Sequence, residues 1–189
     1  MNDVSKIAKF WLATKPIFFD TETTGVDLDS EVIELAVVSH DGEILWNRLY
    51  KPMKKIPEFI TGITHISEDM VANCFHVSKD SAGIFSLFEG KFAVAYNGNF
   101  DQKLLLQSFK MCLKGFNASR LPYATMQDVM KLYAEYRGEP NKWNNGYRWW
   151  KLVEATDFME IEAPKDFHRA VADAEMTRRL LVKLAGGTP

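Results

Sequence analysis

The stretch IFFDTETTG, residues 17–25, narrows the folds open to this chain. Its apolar start predicts a buried strand, and Gly25 predicts a turn behind it. Asp20 and Glu22 stand two apart at the end of that strand, and strand positions i and i+2 point to the same face. Carboxylates held so close repel, and burial alone raises their pKa values and wastes stability. An exposed acidic turn is the bland alternative, which the IFF run and the glycine make the weaker one. A bound divalent cation removes both penalties. The carboxyl end of a sheet strand is also where ligands collect in open α/β folds.

The neighbouring sequence supplies more strands. EVIELAVVSH is rich in β-branched residues, Asp41-Gly42 is a hairpin turn signal, and EILWNRLY follows it. Residues 17–50 therefore predict three strands, the last two forming a hairpin. Ahead of them, Val4, Ile7, Ala8 and Trp11 fall at helical spacing and predict a lead-in helix within residues 1–15. The segment KPMKKIPEFITGITHI reads as a connector, poor as helix and as strand, with Ser67 able to cap one helical turn. Beyond it the pattern predicts a helix over about 79–89, a buried strand at KFAVAY and a helix through NFDQKLLLQSFKMCLKG ending at Gly115. A short strand near 121–124, a helix at MQDVMKLYAEYRG and a last helix over roughly 168–185 complete the chain. Residues 186–189 are expected to fray. This order predicts a single domain with a mixed sheet and helices on its faces.

The 189 residues suffice for one domain with a substantial core. The formal net charge of −2 argues against a polyanion-coating protein, but not against an enzyme that grips nucleic acid locally. Cys74 and Cys112 show neither metal-ligand nor disulfide spacing. With no leader-like N-terminus and no long apolar run, the expected location is the cytoplasm.

More acids share the placement of the first pair. Asp101 lies just past the KFAVAY strand, at the start of a helix, where an acid is also favourable on dipole grounds alone. Asn97, Gly98 and Asn99 tolerate the sharp or left-handed backbone needed to aim it inward. Asp173 sits among Ala170, Val171, Ala172, Ala174 and Met176, and an unpaired acid on such a face is costly, so it needs a partner. His168 is five residues earlier, too far round for an i,i+4 pair, yet able to lean over the same cleft from just before the helix. Four carboxylates can hold two divalent cations, and hard oxygen ligands suit Mg²⁺ or Mn²⁺. A histidine beside them can take a proton from water. That set is suited to phosphodiester hydrolysis.

FFDTETTG, YNGNFDQKLL and HRAVAD together resemble the three motifs of the DEDD exonuclease superfamily, and the spacing of His168 and Asp173 resembles its DEDDh, DnaQ-like branch. That branch includes the proofreading subunit of DNA polymerase III, exonuclease X and oligoribonuclease. The resemblance runs from about Pro16 to Leu184. It implies a ribonuclease H-like α/β fold with a five-stranded mixed sheet, and release of nucleoside 5′-monophosphates from 3′ ends of single-stranded DNA. It implies Asp20 as bridge between two Mg²⁺ or Mn²⁺ ions, Glu22 and Asp173 as further ligands of one ion, Asp101 as support of the other, and His168 as general base. Thr23 and Gly25 would approach the terminal nucleotide. GITHI at 62–66 resembles the loop beside the terminal base, with Thr61 where many members carry histidine. Asn97 belongs to the second motif, where Tyr96 replaces a common histidine. RNA is an alternative substrate, as in oligoribonuclease. A catalytically silent nucleic-acid binder is a second alternative, and a polymerase or repair complex is a candidate partner.

One segment departs from the polymerase-subunit pattern. NKWNNGYRWWK, residues 141–151, interleaves Trp143, Tyr147, Trp149 and Trp150 with Lys142, Arg148 and Lys151. Aromatics stack on bases and cations meet phosphates, although two of the tryptophans could equally be core. Lys51, Lys54 and Lys55 form a second local cluster of positive charge.

Overall fold

The computed structural model describes residues 3–113, 125–142, 145–162 and 168–188. A helix, α1 (Asp3–Ala13), precedes three strands, β1 (Ile17–Thr23), β2 (Val32–Val38) and β3 (Ile44–Leu49). Then come α2 (Glu58–Thr64), α3 (Glu68–Val71), a 3₁₀ turn (Val77–Asp80) and α4 (Ser81–Phe88). The remainder alternates: β4 (Phe92–Ala95), α5 (Gly98–Cys112), β5 (Thr125–Asp128), α6 (Val129–Arg137), α7 (Leu152–Phe158) and α8 (Ala170–Leu184).

Among the described residues the strands form one five-stranded mixed sheet in the order β3-β2-β1-β4-β5. β1 is central, antiparallel to β2 and parallel to β4, so its carboxyl end lies beside the carboxyl end of β4. Alternation along β1 divides the core. Phe18 packs with Val94, Tyr133, Met176 and Leu180 on the face covered by α1, α6 and α8. Ile17 and Phe19 pack with Leu104 and Phe109 on the face covered by α5. By the same alternation Asp20 and Glu22 follow Phe18 onto the α8 side. Every residue of β2 is buried, whereas β3 is an edge with Ile44 and Leu45 exposed.

The structure corrects the expected connector at 51–66, because α2 occupies Glu58–Thr64 and buries Ile60 against Ile33, Ile56, Ile66 and Val71. Pro57 sits at the N-cap, and His65 ends the helix in a left-handed conformation with φ of 58°. The expected helix at MQDVMKLY also shortens. Its first residues belong to β5, and Asp128 caps α6 by accepting from the Met130 amide at 3.0 Å. The strand expected at 121–124 and Gly115 lie outside the described residues. The hairpin holds as expected, with Gly42 at φ of 94°. No helix among the described residues is long and apolar enough to cross a membrane.

Candidate active site

The acids of the first motif and of α8 come together at the carboxyl end of β1. One oxygen each of Asp20, Glu22 and Asp173 lies within 4.8 Å of the others. Asp101 is buried at the start of α5 and is pinned by Thr21, whose amide donates to its Oδ1 at 3.0 Å and whose hydroxyl donates at 2.7 Å. Thr21 points to the α5 side of β1 while Asp20 and Glu22 point to the α8 side, so the strand end carries acids on both flanks. Asp101 is near enough for its charge to raise the pKa of Asp20, but it is not one of the three that converge.

The backbone around Asp101 depends on two unusual residues. Asn97 adopts φ of 66° and donates its amide to Asp128 Oδ1 at 3.0 Å. A Cβ on Gly98 would come within 3.0 Å of Ala95 Cβ, so a side chain there would force α5 away from β4. Behind β1 the chain turns through Gly25 at φ of 154°. The Thr23 hydroxyl donates to the Gly25 carbonyl at 2.8 Å, which commits its proton within the turn. Gln107 of α5 holds the loop by donating to the carbonyls of Asp27 and Ser30 at 3.1 and 2.6 Å. Thr61 is half-buried on α2, where its carbonyl accepts from the His65 amide.

His168 lies just before α8 at φ of 64°, with its residue exposed. Its backbone amide donates to the Asp173 carboxylate, which accounts for the five-residue separation: the main chain of one residue orients the side chain of the other. Asp173 Oδ1 is buried and, among the described residues, has no hydrogen-bond partner. A buried carboxylate oxygen left unpaired beside two more carboxylates is a costly arrangement unless a cation completes it. The all-oxygen donor set fits a hard divalent ion.

Two partners of this site were not anticipated from sequence. Glu34 on β2 lies directly across from Glu22 in the antiparallel register and is fully buried. Its carboxylate accepts from Arg169 Nε at 3.0 Å, from Arg169 Nη2 at 2.6 Å and from the Ala170 amide at 2.9 Å. A bidentate ion pair therefore fastens the first turn of α8 to β2. The available signal was Glu34 itself, an acid inside an otherwise apolar strand that demands a cation.

Burial raises the pKa of Asp20 well above the usual carboxylate range, helped by the charges of Asp101, Asp173, Glu22 and Glu34. Burial also pushes Glu22 up to about 8, with Asp173, Glu34 and Asp101 adding and Arg169 opposing. Asp101 rises to about 7 by burial, against the Thr21 hydrogen bonds, and Asp173 to about 6 by burial, against the His168 amide. In the unfolded chain these groups titrate near pH ~4. Between there and about 8 the folded chain holds more protons than the unfolded one, so metal-free stability falls as pH rises through that window. Thermal unfolding in a chelator should therefore show a lower Tm at about pH 8 than at about pH 5. A divalent ion should raise Tm more at the higher pH. A metal-free Tm that rises across the window would contradict this charge crowding.

Comparison with known proteins agrees with the geometry. Residues 17–181 match the RNase_T exonuclease family. The uncharacterized exonuclease CP81 of Escherichia phage 186 is 37% identical over 187 residues, covering 97% of this chain and 95% of that one. Among solved structures, exonuclease X in complex with 5′-overhanging duplex DNA superposes with a TM-score of 0.63 at 22% identity, covering 90% of both chains. The nuclease domain of 3′hExo, a DEDDh family member bound to rAMP, superposes with a TM-score of 0.68 at 17% identity, covering 92% of both. Three converging carboxylates at the end of β1, in a chain that matches the exonuclease model over residues 17–181, agree with what that match shows: this chain belongs to the RNase_T exonuclease family.

Proposed function

We propose that the chain is a divalent-metal-dependent 3′→5′ exonuclease that removes nucleoside 5′-monophosphates from 3′ ends of single-stranded DNA. The observation that carries this reading is the convergence of Asp20, Glu22 and Asp173, with Asp101 beside them. Asp20, Glu22 and Asp173 would hold one Mg²⁺ or Mn²⁺ ion, and Asp20 with Asp101 would support a second. When bound, the ions supply an activated water and neutralise charge on the phosphoryl oxygens.

The protein groups do the positioning. Thr21 fixes the direction of the Asp101 carboxylate, and the His168 amide fixes that of Asp173. An imidazole nitrogen of His168 accepts a proton of the attacking water as its oxygen bonds to phosphorus, the bond from phosphorus to the leaving 3′ oxygen breaks, and solvent protonates that oxygen to a 3′ hydroxyl. Gly25 lets the chain after β1 come close to the terminal nucleotide, Thr23 shapes that turn, and Thr61 and Asn97 flank the same nucleotide. The DNA preference is supported by exonuclease X having been solved with DNA. The rAMP held by 3′hExo makes RNA the competing substrate.

Digestion of 5′-labelled DNA and RNA oligomers side by side tests the reading. A metal-dependent ladder shortening from the 3′ end, faster on DNA, is expected. Equal or faster RNA turnover would reverse the sugar preference, and metal binding without hydrolysis would favour a silent binder. His168→Ala should lower kcat by roughly 10²-fold while KM and metal binding stay unchanged. Full activity in that variant would remove His168 from the proton transfer.

A further inference from the structure

The segment between α6 and α7 is built rather than merely connecting. Gly138 ends α6 at φ of 63°, and the chain then doubles back through an antiparallel bridge between Pro140 and Tyr147. The Asn141 amide donates to the Gly146 carbonyl and the Arg148 amide to the Glu139 carbonyl, each at 2.8 Å. Its base is stacked. The Arg148 guanidinium lies 3.8 Å from the Trp150 ring centroid, and that of Arg137 lies 4.1 Å from the same ring and 3.9 Å from Phe158. Trp150 is thereby a structural aromatic. The Tyr96 hydroxyl donates to the Trp150 carbonyl at 2.7 Å, tying the segment to the residue before Asn97, the N-cap of the helix that carries Asp101 in its first turn.

This base presents aromatic rings and cations together to solvent. Tyr147 is 46% exposed and Trp149 is 60% exposed, on either side of Arg148. A cavity of about 470 Å³ lies beside Trp149, lined by Glu139, Pro140, Asn141, Lys142 and Arg148. Lys142 and Lys151 are exposed as well, so three cations face the single acid Glu139 within residues 139–151 of a chain whose net charge is −2. Exposed aromatics on an ordered backbone give each base a face to stack on, and neighbouring cations give each phosphate a counter-charge, without regard to sequence.

We infer that Tyr147 and Trp149, with Arg148 and Lys142, form an accessory platform that stacks unpaired nucleotides of a single strand upstream of the nucleotide held in the active site. This rests on the nucleic-acid reading of the active site and adds the surface that makes turnover depend on strand length. Charge decides between this occupant and a protein partner, since the cations match a phosphodiester backbone.

The test compares two substrates on wild type, Tyr147→Ala with Trp149→Ala, and Lys142→Glu. One substrate is a thymidylate dodecamer, and the other is the p-nitrophenyl ester of thymidine 5′-monophosphate, which fills only the terminal-nucleotide site. Both variants should raise KM for the dodecamer by about 10-fold with kcat/KM for the ester unchanged. Phenylalanine at both aromatic positions should restore most of the loss. Unchanged dodecamer KM in both variants would overturn the platform and leave the face to a protein partner. Equal losses on both substrates would overturn it too, as damage to the active site. If wild type hydrolyses neither substrate, the DNA preference of the active site falls, and fluorescence anisotropy with the labelled dodecamer still decides the platform: equal affinity of wild type and variants rejects it.

Discussion

Asp20→Asn should cut hydrolysis by about 10³-fold or more, the loss that follows from removing several kcal/mol of metal-centred charge stabilisation. The same substitution should make the metal-free protein more stable at about pH 8. Asp20 sits where burial and four neighbouring carboxylates, Asp101, Asp173, Glu22 and Glu34, all oppose its charge. The amide keeps the shape of the carboxylate, removes the repulsion and relieves Glu22, which is itself held up to about 8. For a chain of this size each kcal/mol recovered raises Tm by about 2–4 °C. Thermal unfolding of wild type and variant in chelator, then with Mn²⁺ added, reads both halves. Wild type should gain Tm with Mn²⁺ and the variant should gain much less. An Asn variant that is inactive and also less stable in chelator would mean that Asp20 is a structural acid, and the assignment of the site would fail with it.

This opposition of stability and activity also explains which parts of the molecule were legible in the sequence. Asp20, Glu22, Asp101 and Asp173 were visible because each acid stands next to an apolar run where an ordinary acid would be a liability. The sheet was visible for the same reason: β1, β2 and β4 are buried, and burial writes apolar runs into a sequence. β5 was not legible at Thr125–Asp128 because TMQD carries little strand character of its own. It is a strand because it pairs in parallel with Phe92–Ala95, a contact made across more than thirty residues. α2 was missed because Pro57 and Gly62 weaken its local pattern, while the burial of Ile60 against Ile33 and Ile66 stabilises it from outside. Glu34 escaped notice because its partner, Arg169, is 135 positions away and reads locally as one more residue of the His168 motif. The His168–Asp173 spacing was legible as a motif, but the contact within it, a backbone amide holding a carboxylate at a residue of positive φ, is main-chain geometry that residue type does not announce.

Glu34→Ala should be among the most destabilising single changes in this protein, although Glu34 touches neither metal nor substrate in the proposed mechanism. Its carboxylate is fully buried and accepts three hydrogen bonds, two from Arg169 and one from the Ala170 amide. Breaking a buried pair from one side costs about 3–5 kcal/mol, because the other charge is left without its partner. Arg169 keeps 27% side-chain exposure, so water repays part of this and the loss should fall toward the lower end of that range. At about 2–4 °C per kcal/mol, Tm should drop by roughly 6–12 °C. Activity should fall further than stability explains. The pair fastens the turn that places both the His168 amide and Asp173, and a displacement of about 1 Å at a reacting centre can cost 10²-fold. Glu34→Gln, which preserves shape and can still accept hydrogen bonds, should lie between wild type and alanine in both measurements. The double change Glu34→Met with Arg169→Met removes both charges and should recover Tm by apolar packing while leaving kcat low, because packing alone does not restore the bidentate register. If the double variant recovers kcat along with Tm, the pair serves stability alone and another contact sets the position of α8.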